Sequence, residues 1–228
     1  MTKLLTLSQS DIVGGREAKP HSRPYMVSIQ FQGQHVCAHC KKGPCTVVLG
    51  AHDISKKEKS QQHIEVSKYY PHPEFKEFEY DIMLLELKKN ATLNKYVKTI
   101  GLPKKNGKTP ANIKCVVAGW GQTGDDLPPS NVLKEATEKI QFSNECIHIW
   151  GEHFKSDHMI CTNFSRKSGA NFYSYETSGD SGGPLICNTK PQGITAFTKE
   201  NDCNNPKYPH VFTKVNFFIG WIKHTMKQ

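Results

Sequence analysis

The sequence predicts an all-β protein, a barrel or sandwich of many short strands, closed by one C-terminal helix. The first observation behind this is a series of short apolar runs rich in Val, Ile, Tyr and Phe. They are YMVSIQF (Tyr25–Phe31), TVVLGAH (Thr46–His52), HIEVSKYY (His63–Tyr70), DIMLLEL (Asp81–Leu87), CVVAGWG (Cys115–Gly121), PLIC (Pro184–Cys187), GITAF (Gly193–Phe197) and VFTKV (Val211–Val215). The second is what lies between them. Gly, Pro, Asn and Asp supply turns, so the runs read as strands joined by hairpins. The third is the tail from Val215, where Phe218, Trp221, Ile222 and Thr225 fall at i, i+3, i+4 and i+7. That spacing is one face of an amphipathic helix, read as a docking helix. No internal repeat, low-complexity stretch or linker interrupts the pattern.

A chain of 228 residues suffices for one large all-β domain or two small ones, and 36% hydrophobic residues can build a core. No apolar run approaches the roughly 20 residues of a membrane helix. The formal charge of +9 favours an anionic partner through a field that salt screens, with a simply soluble basic protein as the alternative. Eight cysteines suit an oxidising compartment. Two acceptor tripeptides for N-glycosylation, at Asn90 and Asn163, agree with it. The opening MTKLLTL has an apolar stretch shorter than the core of a signal peptide. Residues 1–11 are therefore read as a truncated leader or activation peptide.

Two segments carry chemistry. In SGDSGGPL (Ser178–Leu185) a serine flanked by glycines sits on backbone that can turn tightly and expose Oγ. Gly179 lets its N–H point at a developing oxyanion with no Cβ in the way. In HVCAHCKKGPC (His35–Cys45) two histidines and three cysteines crowd together. A zinc site on Cys37, His39, Cys40 and Cys45 is disfavoured, because adjacent His39 and Cys40 are poor co-ligands and no second CxxC or HxxxH follows. A CxxC redox pair would need a helix N-terminus in a βαβ setting, and none is visible.

GDSGGP matches letter for letter the nucleophile loop of the chymotrypsin-like, trypsin-fold serine proteases. IVGG (Ile12–Gly15) resembles that family's mature N-terminus. PHSRPYM, TVVLGAHDI, DIMLL, AGWG and LPKK narrow the resemblance to its granule subgroup, the granzymes and mast-cell-type proteases. The resemblance implies two six-stranded antiparallel β-barrels within 12–228. Barrel 1 spans roughly 25–105, barrel 2 roughly 110–215, and the helix 216–227. It implies secretion or granule storage, protein substrates, a sulfated proteoglycan as the anionic partner in place of nucleic acid, and no cofactor or metal.

By the same resemblance Ser181 is the nucleophile, His39 its acid–base, Asp81 the orienting carboxylate, and the Gly179 and Ser181 N–H groups the oxyanion hole. Cleavage before Ile12 would free an amine that pairs with Asp180; a buried ion pair of this kind needs both charges, so activation waits for the cut. Asp11 precedes the cut in place of the Lys or Arg that a trypsin-like activator needs. The resemblance pairs Cys37 with Cys40, Cys115 with Cys187 and Cys146 with Cys161, leaving Cys45 and Cys203 unassigned. It puts Tyr175, Glu176, Thr198 and His210 in the substrate pocket, with Ala196 where a serine usually supports the catalytic Asp. A pocket Glu176 would favour Lys or Arg in the substrate; a pocket His210 would favour an acidic residue.

HVC runs straight into AHC, whereas in the family roughly a dozen residues, about one strand and its turn, separate the two motifs. The first barrel is therefore expected to lack a strand. Such a loss leaves unpaired backbone groups on the neighbouring strands and puts catalysis in question, since about 1 Å of displacement can cost two orders of magnitude in rate. The alternative to an active endopeptidase is an impaired pseudo-protease that binds glycosaminoglycan or microbial surfaces.

Overall fold

The computed structural model describes residues 3–6, 15–36, 44–121, 128–164, 182–199 and 207–228. In chain order the strands are β1 (Lys3–Thr6), β2 (Arg16–Glu17), β3 (Val27–Phe31), β4 (Gln34–His35), β5 (Thr46–Leu49), β6 (Gln62–Pro71), β7 (Met83–Leu87), β8 (Lys114–Gly119), β9 (Lys134–Ile140), β10 (Met159–Phe164), β11 (Pro184–Cys187), β12 (Lys190–Phe197) and β13 (His210–Lys214). Helix α1 (Ser143–Trp150) follows β9 and α2 (Ile219–Thr225) ends the chain. The architecture is mostly β, as expected, and antiparallel throughout.

Two sheets form. The first runs β1-β7-β6-β5-β3-β4 and the second β10-β13-β12-β11-β8-β9-β2, with β10 also paired to β9. That last pairing closes six strands into a barrel and leaves β2 outside on β9. The long strand β6 serves two neighbours: Gln62–Glu65 pair with β5, and Val66–Pro71 pair with β7 across a bulge between Val66 and Lys68. A bulge bends the strand and increases its twist, which lets one strand join two parts of a curved sheet.

Each sheet encloses its own apolar core. Val47, Leu49, Ile64, Val66, Leu85 and Leu87 pack in the first; Val117, Ile140, Ile160, Leu185 and Phe212 pack in the second. Between the sheets, Met26, Val48, Ala118, Trp120 and Leu133 form a third cluster. The Trp120 indole N–H donates to the His52 carbonyl at 3.0 Å, the kind of partner a buried indole requires. An apolar cavity of about 140 Å³ lies nearby, bordered by Ile29, Val36, Trp120, Gly182 and Pro184.

The closing helix is shorter than 216–227. Phe217 N–H donates to the Lys214 carbonyl and Phe218 N–H to Val215, both i→i−3, so tight turns precede the first α-helical residue. Of the predicted face, Phe218, Ile222 and Thr225 are buried and Trp221 is half-buried; Phe218, Ile222 and Ile219 pack with Ile82 and Ile194, and Trp221 lies against that cluster.

Cys115–Cys187 staples β8 to β11, and Cys146–Cys161 ties α1 to β10. Both are pairs that the resemblance implied.

Gly193 sits in β12 between its paired neighbours β11 and β13. A Cβ there would lie 2.8 Å from Phe212 Cβ and 3.3 Å from Leu185 Cβ, atoms with little freedom to retreat. Gly193→Ala should therefore lower stability by about 1–3 kcal/mol through overpacking. Chemical denaturation would show this as an earlier midpoint at unchanged slope; an unmoved midpoint would contradict the close approach.

Candidate active site

Asp81 lies two residues before β7, and the local reason is visible in its neighbours. Ile82 is 1% exposed and anchors the chain just after it. Asp81 is itself buried, and its carbonyl accepts a 2.9 Å hydrogen bond from Thr213 Oγ1 on β13, 132 residues away. One hydroxyl thus links the head of β7 to the second sheet. Asp81 is at the lip of an apolar strand, where the motif placed it.

The exit of the serine loop is held in the same way. Gly182 has φ +93°, a conformation that L side chains rarely adopt. Its N–H donates to the Thr195 carbonyl at 3.3 Å, and the Thr195 N–H returns a 3.0 Å bond to the Gly183 carbonyl. Thr195 Oγ1 adds a further bond to that carbonyl at 3.1 Å. The residue following Ser181 is therefore fixed to β12.

Of the expected pocket residues, Thr198 follows the end of β12 and His210 begins β13. Ala196 is skipped in the β12–β13 register, where Thr195 faces Phe212 and Phe197 faces Val211. This bulge changes the direction of the strand just before Thr198. His210 Nδ1 donates to Glu138 Oε1 at 3.0 Å, and Thr162 Oγ1 donates to the other oxygen of the same carboxylate. Glu138 is 2% exposed. A buried carboxylate is tolerated only when paired and hydrogen-bonded, and here both oxygens are engaged. Sequence reading passed over Glu138; its signal is an acidic residue at an inward position of an otherwise alternating strand.

A second unforeseen feature precedes Asp81. Tyr80 is stacked between two buried imidazoles, His72 at 5.1 Å and His158 at 4.7 Å between ring centroids. Trp221 and Phe218 of the C-terminal region flank His72. The stack brings together the loop after β6, the approach to β10 and the closing helix.

His39, Ser181, Gly179, Asp180, Ile12, Tyr175, Glu176, Cys37, Cys40 and Cys203 lie outside the described residues. Cys45, which the resemblance left unassigned, is disulfide-bonded. Cys115, Cys187, Cys146 and Cys161 are paired with one another, so none of them is its partner.

Burial lowers the pKa of both His72 and His158 below the ordinary imidazole value. His72 Nδ1 accepts from the Glu74 N–H, a bond that only the unprotonated nitrogen can accept. His158 Nε2 is buried without a hydrogen bond, 4.0 Å from the Glu79 carboxylate. Glu74, Glu79 and Asp157 favour protonation, whereas Lys155, Lys214 and the mutual His72–His158 repulsion oppose it. Because the folded values are depressed, the unfolded chain takes up protons first as pH falls. Stability should be complete above about pH 6.5 and decline as pH drops through that value toward the folded ones. Melting temperature against pH should show the decline, and His158→Phe should flatten it; equal slopes in the two proteins would remove His158 as a source.

Comparison with known proteins agrees with this geometry. Residues 12–222 match the Trypsin family. The chain is 38% identical to granzyme B of Rattus norvegicus, over 96% of this chain and 92% of that protein. It is 36% identical to mast cell protease 3 of Ovis aries, over 95% and 90%. The solved structure of neuropsin, a serine protease from mouse brain, superposes with a TM-score of 0.83 at 31% identity, covering 94% of this chain and all of that one. With that match spanning both sheets and the chemistry-bearing segments alike, the chain belongs to the trypsin family of serine proteases.

Proposed function

We propose that the chain is a granzyme-like serine endopeptidase that hydrolyses peptide bonds by acyl transfer. Ser181 attacks the carbonyl, His39 takes its proton and passes it to the leaving amine, and Asp81 orients the imidazole. The Gly179 and Ser181 N–H groups stabilise the oxyanion, and pairing of the Ile12 amine with Asp180 after cleavage orders that hole. The observation that carries the reading is the latch on Asp81. A buried carboxylate-bearing residue at the rim of one sheet, with its backbone fixed by a hydroxyl of the other, has little freedom to drift out of register with a nucleophile loop anchored on β12.

The pocket combines His210, braced by Glu138, with Thr198, Tyr175 and Glu176. The two described disulfides suit a secretory route. The charge of +9 supports a sulfated proteoglycan as storage partner. The same charge favours the second reading, a pseudo-protease that binds anionic glycan, because the contracted segment around His39 bears directly on the general base.

After cleavage before Ile12, a peptidyl phosphonate should label Ser181, and Ser181→Ala should abolish labelling and lower kcat on the order of 10⁶-fold. Absence of labelling in the processed chain would reject the endopeptidase reading. In that case, heparin retention falling steeply with salt would support the binding protein, and weak retention indifferent to salt would reject it as well.

A further inference from the structure

The Trypsin-family match begins at residue 12, yet the first sheet begins earlier. Strand β1 lies antiparallel along β7, with Lys3 opposite Glu86, Leu4 opposite Leu85, Leu5 opposite Leu84 and Thr6 opposite Met83. On its other side β7 is paired to β6. Remove β1 and β7 becomes the edge of the sheet.

That edge would be an unfavourable one. Leu84, Leu85, Glu86 and Leu87 are all at most 5% exposed. With β1 seated, β7 is enclosed and its backbone is paired on that side, as buried backbone groups almost always are. A bare, apolar, regular edge also invites pairing with another chain. In the sequence HVC runs straight into AHC, without the strand that the family resemblance places between them. The β7 edge is thus occupied by a short segment that lies ahead of the family match.

We propose that Lys3–Thr6 is a built-in donor strand: it completes the first sheet in place of the strand lost before the His39 motif. Its ligand-like contact is main-chain pairing, the mode by which extended peptides add to open sheet edges. The tether makes the pairing intramolecular and gives the segment a high effective concentration at β7. A cut before Ile12 would remove that advantage, and the donor would become a separate peptide whose occupancy depends on its concentration. Because β7 starts two residues after Asp81, the occupant of this edge bears on how firmly Asp81 is held. The inference concerns the strand pairing alone and stands independently of the peptidase reading.

Hydrogen exchange on the full chain tests it. Amides of residues 3–6 and 83–87 should be protected together; free exchange at 3–6 would overturn the proposal. The double variant Leu4→Pro/Leu5→Pro removes two successive N–H groups. Alternate residues of an antiparallel strand point their N–H groups to opposite sides, so one of the two must face β7. Protection at 83–87 should fall at least tenfold while protection at Val116 and Val117 of the second sheet stays. A synthetic peptide of residues 1–11 should restore it saturably, both in this variant and in chain cut before Ile12. Unchanged β7 protection in the double variant, or a peptide without effect in either protein, would overturn the donor role. Should the variant fail to fold, the wild-type exchange and the cut chain still decide.

Discussion

The hydrogen bond from Thr213 Oγ1 to the Asp81 carbonyl is the constraint on which the rest of the site turns. Both partners are buried, so neither can exchange the other for water, and breaking the bond would leave a polar group stranded. It fixes the head of β7 to β13. Around it, Ile82 packs beneath the closing helix, and the His72–Tyr80–His158 stack fills the space next to it. A relative shift of the two sheets would disturb the bond, the stack and the helix seat together. That cooperativity holds the junction of the two sheets in a geometry finer than either sheet would give alone.

The second sheet uses buried carboxylates as fasteners. On β9, Glu135 receives Arg16 and Arg23, and Glu138 receives His210 and Thr162. Burial alone would raise the Glu135 pKa; the two guanidinium groups outweigh it and hold the carboxyl below its ordinary value. Glu135 draws β2 and Arg23 onto the second sheet, while Glu138 braces a wall of the expected pocket. Each charge is tolerated because it is met by donors on both oxygens. These pairings give direction to segments that apolar packing alone would leave free to slide.

The first sheet solves a different problem. A sheet needs backbone partners at its edges as much as core volume, and hydrogen-bonding edges are less forgiving than volume. β1 covers the β7 edge, whereas an apolar cavity remains beside Val36 and Trp120. Imperfect apolar packing costs dispersion contacts, whereas an unpaired buried backbone group costs a hydrogen bond. The fold thus accepts incomplete packing more readily than unpaired backbone.

The sequence by itself determined the strands whose side chains are Val, Ile and Leu, the apolar face of the last helix, two disulfide pairs by family pattern, and the placement of Asp81 at the lip of a buried strand. Those features are encoded locally, in alternation, in helical spacing or in short motifs. Only the tertiary structure decided the rest. Strand β9, KEATEKI, was illegible because two of its buried positions, one on each face, are glutamates, made acceptable by donors far away in sequence. The roles of Glu138, of the paired imidazoles around Tyr80, and of Lys3–Thr6 likewise depend on partners that no local pattern names. A residue's own chemistry shows in the string; whether a buried charge, ring or bare backbone edge finds its complement is settled only when distant segments meet.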